Sequence, residues 1–255
     1  MTAVATLRLG DTPLARIGLG TNRLKNTPEN VAFVRDAVAA GVDLIDTAHS
    51  YTGGESEQTI GAALSPSDDR CVVATKGGWG SGRPDALRAE IEESLRRLRT
   101  DTIDLYYLHK PDPETPLEDS LAVIDEYRER GAIQHVGVSN VSVDEIERAR
   151  AVAPIAAVQN HYNLSERRHD DVVDYCADND IIFVAYFPLR ADGGPAAAEI
   201  AKRHASTPAQ IALAWLLRRS PTTLPIPGTL SREHLTENLA AAEIELTDEE
   251  FETLR

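Results

Sequence analysis

The chain has 255 residues, 41 acidic against 26 basic, for a formal net charge of -15 and a sequence pI of about 4.9. That balance argues against nucleic acid or an anionic membrane as partner, because either recruits a basic face. The length can bury a large core, no low-complexity spacer divides it, and α/β barrels commonly use this length as one domain, so a single domain over 1–255 is expected.

In chain order, Thr6–Leu9 and Leu14–Ile17 alternate around Gly10-Asp11-Thr12-Pro13. This predicts a hairpin with a turn longer than two residues, closing the lower end of a barrel. Leu19-Gly20-Thr21-Asn22 leaves a first strand. Thr27 as N-cap and Pro28 at the first helical position predict a helix to Ala40, stopped by Gly41. Strands then read at Leu44–Asp46, Cys71–Thr75, Ile103–Leu108, Ile133–Ser139, Ala156–Asn160, Ile181–Tyr186 and Thr223–Ile226. Helices intervene at Ser56–Leu64 and Pro84–Leu98, the second with Leu87, Ile91, Leu95 and Leu98 on one face. Capping boxes at Thr115–Glu118 and Ser142–Glu145 predict helices to Arg130 and Val152. Further helices read at Arg168–Asp178, in one or two pieces over Ala196–Arg219, from Ser231 to about Ala242, and from Thr247 as a short final turn. Eight short apolar strands, each followed by a helix, predict a (β/α)8 TIM barrel with an N-terminal β-hairpin. The rival is an open doubly wound sheet, but no Gly-x-Gly-x-x-Gly follows the first strand.

The two cysteines, Cys71 and Cys176, read as small buried hydrophobes, with no disulfide or zinc spacing. Met1–Arg8 has no signal-peptide pattern, and no run approaches ~20 apolar residues, so a soluble cytoplasmic protein is expected.

Polar residues gather where the apolar strands end: Asn22, Asp46, Tyr51, Lys76, His109, Ser139, Asn140, Gln159, Asn160 and Tyr186. In a barrel of this kind the active site lies at those C-terminal ends. Lysine is scarce, with only Lys25, Lys76, Lys110 and Lys202, so Lys76 at a strand end is not one surface lysine among many. Its rival Lys110 precedes Pro111, which should turn it outward or into a loop. An ammonium beside Tyr51 favours phenolate and makes the phenol a better acid, while Asp46 keeps that ammonium charged. His109 could orient a carbonyl. Together the four form a plausible proton donor to an oxygen that gains charge during hydride delivery.

The chain resembles the aldo-keto reductases from about Ile17 to Asn238. The resemblance is carried by Asp-Thr-Ala-His-Ser-Tyr at 46–51, Ala-Thr-Lys at 74–76, Asp-Leu-Tyr-Tyr-Leu-His at 104–109 and Gly-Val-Ser-Asn at 137–140. Gln159, Ala-Tyr-Phe-Pro-Leu at 185–189 and Ile-Pro-Gly-Thr at 226–229 complete the series. It implies NADPH-dependent reduction of an aldehyde or ketone, with Tyr51 as acid, Lys76 and Asp46 tuning it, and His109 orienting the substrate. It also implies that Ser139, Asn140 and Gln159 bind the nicotinamide carboxamide and that Tyr186 stacks on the ring. Leu189 and its neighbours would lie near the pyrophosphate, and Thr229, Ser231, Glu237 and Asn238 would hold the adenosine end. Gly20, Thr21, Asn22, Phe187 and Ile226 join the cofactor set by the same carry-over. Independently of the family, Ser231 opens a helix, and a helix N-terminus favours phosphate.

Two positions depart from the family. Gly228 and His234 stand where a Lys and an Arg often contact the 2'-phosphate, leaving that work to Arg232 and His234 and favouring NADPH over NADH less strongly. The long C-terminal loop of many members is missing, so an open substrate pocket bounded by Asn22, Tyr51, Trp79, His109 and Phe187 is expected. The Tyr-Phe-Pro-Leu exit is similar to a bacterial branch that includes pyridoxal reductases, which makes pyridoxal-type aldehydes candidate substrates. The other readings are a buried structural Asp46–Lys76 pair, a nucleotide-binding regulatory subunit with little turnover, and a metal-dependent barrel hydrolase using His49, His109 and Asp46. Lys76 argues against that metal site by placing a positive charge in the same cavity. The oligomeric state is open, a monomer being plausible.

Overall fold

The computed structural model describes residues 7–65, 71–190 and 193–254. A two-stranded hairpin, β1 (Leu7–Leu9) and β2 (Thr12–Leu14), opens the described chain. Eight parallel strands come next: β3 (Leu19–Gly20), β4 (Leu44–Asp46), β5 (Val72–Gly77), β6 (Ile103–Leu108), β7 (Ile133–Ser139), β8 (Ile155–His161), β9 (Ile182–Tyr186) and β10 (Thr223–Pro225). Each pairs with its neighbour in chain order. Around them lie α1 (Pro28–Ala39), α2 (Glu55–Leu64), α3 (Pro84–Leu98), α4 (Leu117–Glu129), α5 (Val143–Arg150), α6 (Asp170–Asp178), α7 (Gly194–Arg203), α8 (Pro208–Arg219), α9 (Arg232–Ala240) and α10 (Asp248–Thr253). This is the (β/α)8 architecture, and no helix among the described residues is long and apolar enough to cross a membrane.

The ring closes between its first and last strands. Gly18 N donates to Pro225 O at 3.0 Å and Gly20 N to Pro227 O at 3.2 Å. Gly20 also bridges Gly228. The N–H and C=O of a strand residue point the same way, so the N–H groups that would answer from 225 and 227 are the ones proline lacks. A Cβ on Gly20 would stand 2.8 Å from Ile226 O, so the close approach at this joint needs glycine.

Strand side chains alternate between the barrel interior and the helical layer. Leu44, Val72, Ala74, Leu105, Tyr107, Ala157, Ile182, Val184 and Leu224 form the inner cluster, and Leu7, Leu9 and Leu14 of the hairpin pack with them as its floor. Ile45, Tyr106, Leu108, Val136, Val138 and Phe183 point outward and pack with the helices. Tyr107 fills the interior only because Gly137 faces it: a Cβ there would lie 2.4 Å from the Tyr107 ring.

Several local expectations are corrected. The hairpin pairs Leu9 with Thr12, so its turn has two residues, Gly10 and Asp11, and the second strand begins at Thr12 and ends at Leu14. Gly10 allows this with a positive φ of 58°. Thr6 lies outside the described residues. The capping box at Ser142 is present, but the one at Thr115 is not: Pro116 is the N-cap of α4, and the Thr115 hydroxyl instead donates to Asp112. Residues 196–219 form two helices, the second opened by a capping box of Thr207 and Gln210.

Candidate active site

Two steps beyond five of the inward-facing residues lies a polar one: Leu44 leads to Asp46, Ala74 to Lys76, Tyr107 to His109, Ala157 to Gln159 and Val184 to Tyr186, and all but the buried Lys76 line one cavity at the C-terminal mouth. Lys76 Nζ donates to Asp46 Oδ1 at 2.6 Å, to Thr47 O at 2.6 Å and to Tyr51 OH at 3.4 Å. Gln159 Nε2 donates to the other oxygen, Asp46 Oδ2, at 2.7 Å. A buried ion pair survives only with its remaining hydrogen bonds satisfied, and this one has them. The Tyr51 ring meets the His109 ring edge-on at 5.9 Å, and the Trp79 indole lies 4.7 Å from the same imidazole. The four side chains therefore share one site.

Burial alone would depress Lys76, but the charges of Asp46 and the Tyr51 oxygen more than reverse it, so Lys76 is raised and stays an ammonium. Burial raises Asp46, opposed by Lys76 and Gln159. Burial also raises Tyr51, and Asp46 adds to that, so the lowering pull of Lys76 does not win. The expected acidification is present as an interaction and outweighed as a sum: Tyr51 holds its proton across neutral pH. His109 is lowered to about 3 by burial first, then by Lys76 and Lys110, and is a neutral imidazole. Its buried Nδ1 has no hydrogen-bond partner among the described residues.

The cavity holds about 1070 Å³, at the upper end of small-molecule sites. Its lining includes Gly20, Thr21, Asn22, Tyr51, Trp79, His109, Ser139, Asn140, Gln159, Tyr186, Phe187, Leu189, Ile226 and Gly228. Asn140, at φ 60°, is tied down on three sides: its Nδ2 donates to His109 O and Ser139 Oγ, and its Oδ1 accepts from Tyr186 OH at 2.7 Å. Tyr186 is backed by the parallel ring of His161 at 5.3 Å. Phe187, also in the left-handed region at φ 52°, is held by Asn163 Nδ2 on its carbonyl at 3.0 Å. Strained residues at two strand exits thus shape the wall of the cavity.

A family model described as the aldo/keto reductase family matches residues 16–197 and 190–255. The chain belongs to the aldo/keto reductase family. It is 35% identical to the pyridoxine 4-dehydrogenase of Escherichia coli, over 98% of this chain and 96% of that one. A thermostable aldo-keto reductase solved with the inhibitor epalrestat superposes with a TM-score of 0.90 at 36% identity, over 98% of both chains. An aldo/keto reductase of Klebsiella pneumoniae, solved with NADP and acetate, gives 0.88 at 31% identity, over 98% of this chain and 94% of that one.

The far end of the site expected for this reductase is less concave. Thr229, Ser231, Arg232, His234, Glu237 and Asn238 lie beyond the cavity lining, which stops at Gly228. Ser231 caps α9 by accepting from His234 N at 3.3 Å. Arg232 is engaged elsewhere: its Nε donates to Asp36 Oδ2 of α1 at 2.6 Å. Asn160, one of the polar strand-end residues, does not face the mouth; its amide clasps the backbone of Val141. His49 turns from the mouth as well, to Glu93 at 3.1 Å, so it does not join His109 and Asp46. Lys110 lies in the loop after β6, one of the two places expected of it, and from there it lines the cavity, its Nζ 4.9 Å from the Trp79 ring. Its place next to His109 is the signal in the sequence that points there.

Proposed function

We propose that this aldo/keto reductase reduces aldehydes or ketones to alcohols with NADPH, Tyr51 serving as the general acid. The observation that carries the reading is Lys76 Nζ, bonded to Asp46 and reaching Tyr51 OH at 3.4 Å, both of them residues that line a large cavity. The residues fit a dinucleotide. The cavity volume suffices, Gly20 and Gly228 leave backbone open along one wall, and Ser139, Asn140 and Gln159 converge with the Tyr186 ring. The NADP-containing relative from Klebsiella pneumoniae supports the choice of cofactor.

When bound, NADPH would supply the hydride; Ser139, Asn140 and Gln159 would hold its carboxamide, and Tyr186 would offer its face to the ring. Neutral His109 donates to the substrate oxygen and turns it toward Tyr51. Tyr51 then delivers its proton to that oxygen, and Lys76, fixed by Asp46 and Thr47 O, stabilises the phenolate that remains. Pyridoxal-type aldehydes are the first substrates to try, supported by the identity to pyridoxine 4-dehydrogenase and by the indole of Trp79, 52% exposed at the mouth. Loss of NADPH absorbance with pyridoxal and a panel of aldehydes tests the reading. Tyr51→Phe should lower turnover by about 10²–10⁴-fold with the cofactor Kd little changed. Turnover equal to that of the parent would remove Tyr51 from its role.

A further inference from the structure

The cavity is charged opposite to the chain that builds it. Among the described residues the one carboxylate in its lining is Asp46, whose two oxygens are committed to Lys76 and Gln159. Three cations line it as well: Arg23, Lys110 and Arg190. Among the described residues no ion pair joins any of the three to a carboxylate, which is also true of Arg16, Arg35 and Arg167 elsewhere, whose guanidinium groups turn to backbone carbonyls. What sets Arg23, Lys110 and Arg190 apart is that they share one cavity. Unpaired cations collected in a concavity focus a positive potential there and draw in anions.

The three do not stand together. Arg23 follows Asn22, and Arg190 follows Leu189 with its guanidinium over the Phe187 ring at 4.6 Å. Both belong to the wall assigned above to the cofactor and its phosphates. Lys110 is on the other side. Its Nζ lies 4.9 Å from the Trp79 ring, and Trp79 lies 4.7 Å from the His109 ring. Tyr51, His109, Trp79 and Lys110 thus form a continuous run from the proposed proton donor to an unpaired ammonium. The charge of Lys110 is felt in the site, since it helps hold the His109 imidazole neutral.

We propose that the cavity takes carbonyl substrates bearing a second, anionic group, a carboxylate or a phosphate, which Lys110 holds beside Trp79 while the carbonyl oxygen meets His109 and Tyr51. This rests on the reductase reading and narrows its substrate class. The competing role for Lys110 is packing alone, its stem and charge covering an exposed indole.

A matched pair separates the two: 4-formylbenzoate and its methyl ester differ in charge and little in shape. The parent should favour the carboxylate in kcat/KM by about fivefold at low ionic strength, the scale of a partly exposed ion pair. Added salt should erode that preference. Lys110→Gln should bring the ratio near one, and Lys110→Arg should keep it. 4-Formylphenyl phosphate run alongside tells which anion is preferred. Equal rates for acid and ester, or a preference untouched in Lys110→Gln, would overturn the proposal. A second measurement does not depend on turnover. Trp79 is exposed and the other tryptophan, Trp215, is buried, so indole fluorescence reports on this mouth. Benzoate should quench it in a salt-sensitive, Lys110-dependent way, and methyl benzoate should not. If neither aldehyde consumes NADPH while benzoate still behaves so, the reductase reading fails and the anion site stands. If the ester is reduced as fast as the acid, the reverse holds.

Discussion

Gln159 and Asp46 are joined across the barrel: Nε2 of one donates to Oδ2 of the other at 2.7 Å, though 113 residues separate them in the chain. The residue proposed to grip the nicotinamide carboxamide is therefore bonded to the carboxylate that fixes Lys76. Gln159→Leu would leave Asp46 Oδ2 buried without its donor, at about 1–3 kcal/mol. Urea denaturation should register that loss, and cofactor affinity should fall in the same variant.

Lys76→Met removes the ammonium and strands the Asp46 carboxylate, which is almost wholly buried. Breaking a buried pair from one side costs about 3–5 kcal/mol. Removing both charges in Asp46→Asn with Lys76→Met should restore part of that stability without restoring turnover. Thermal melts of the two variants beside the parent check it.

The folded His109 imidazole takes up a proton only near pH 3, against an ordinary value of 6.5. Between those values the unfolded chain binds the proton and the folded chain does not, so this residue's contribution is whole above 6.5 and is lost as pH falls toward 3. Stability of the parent should drop with acid more steeply than that of His109→Gln, by up to about 1.4 kcal/mol per pH unit. Parallel slopes in denaturation curves from pH 4 to 6.5 would contradict this.

Arg232 and Asp36 form an exposed pair between α9 and α1. Such pairs add less than about 1 kcal/mol to stability. The consequence lies in binding: Asp36 occupies the guanidinium and sets a negative charge near the α9 N-terminus, where the 2'-phosphate is proposed to sit. Asp36→Asn should tighten NADPH by about two- to fivefold relative to NADH, measured as the ratio of their dissociation constants at low salt.

The barrel and its mouth are legible in the sequence because eight short apolar runs are each followed by a helix and polar residues gather where the runs end; Leu44 and Asp46, or Ala157 and Gln159, differ by two positions and so share a side. What escapes it is set by distant partners or by single turns. Arg232 reads as a free phosphate ligand, and its pairing with Asp36, 196 residues earlier, is not legible in the sequence. Thr115 has the spacing of a capping box, but Asp112 claims its hydroxyl. Lys110 precedes a proline and reads as turned outward or into a loop, but the sequence does not say that this loop brings its Nζ to 4.9 Å from the Trp79 ring. The acidity of Tyr51 is overstated by its neighbours alone, because burial cannot be weighed without coordinates.

The joint between β3 and β10 makes the barrel a ring with a clasp. Gly18 and Gly20 give their hydrogens to Pro225 and Pro227, and neither proline can return one. Deuterium should therefore enter at these two glycine amides before it reaches the middle of β6 or β7. Gly20 and Gly228, the halves of that clasp, also line the cavity. A guest lying across them fastens it, so slowed exchange at Gly20 is a gauge of occupancy that needs no chemical step at all.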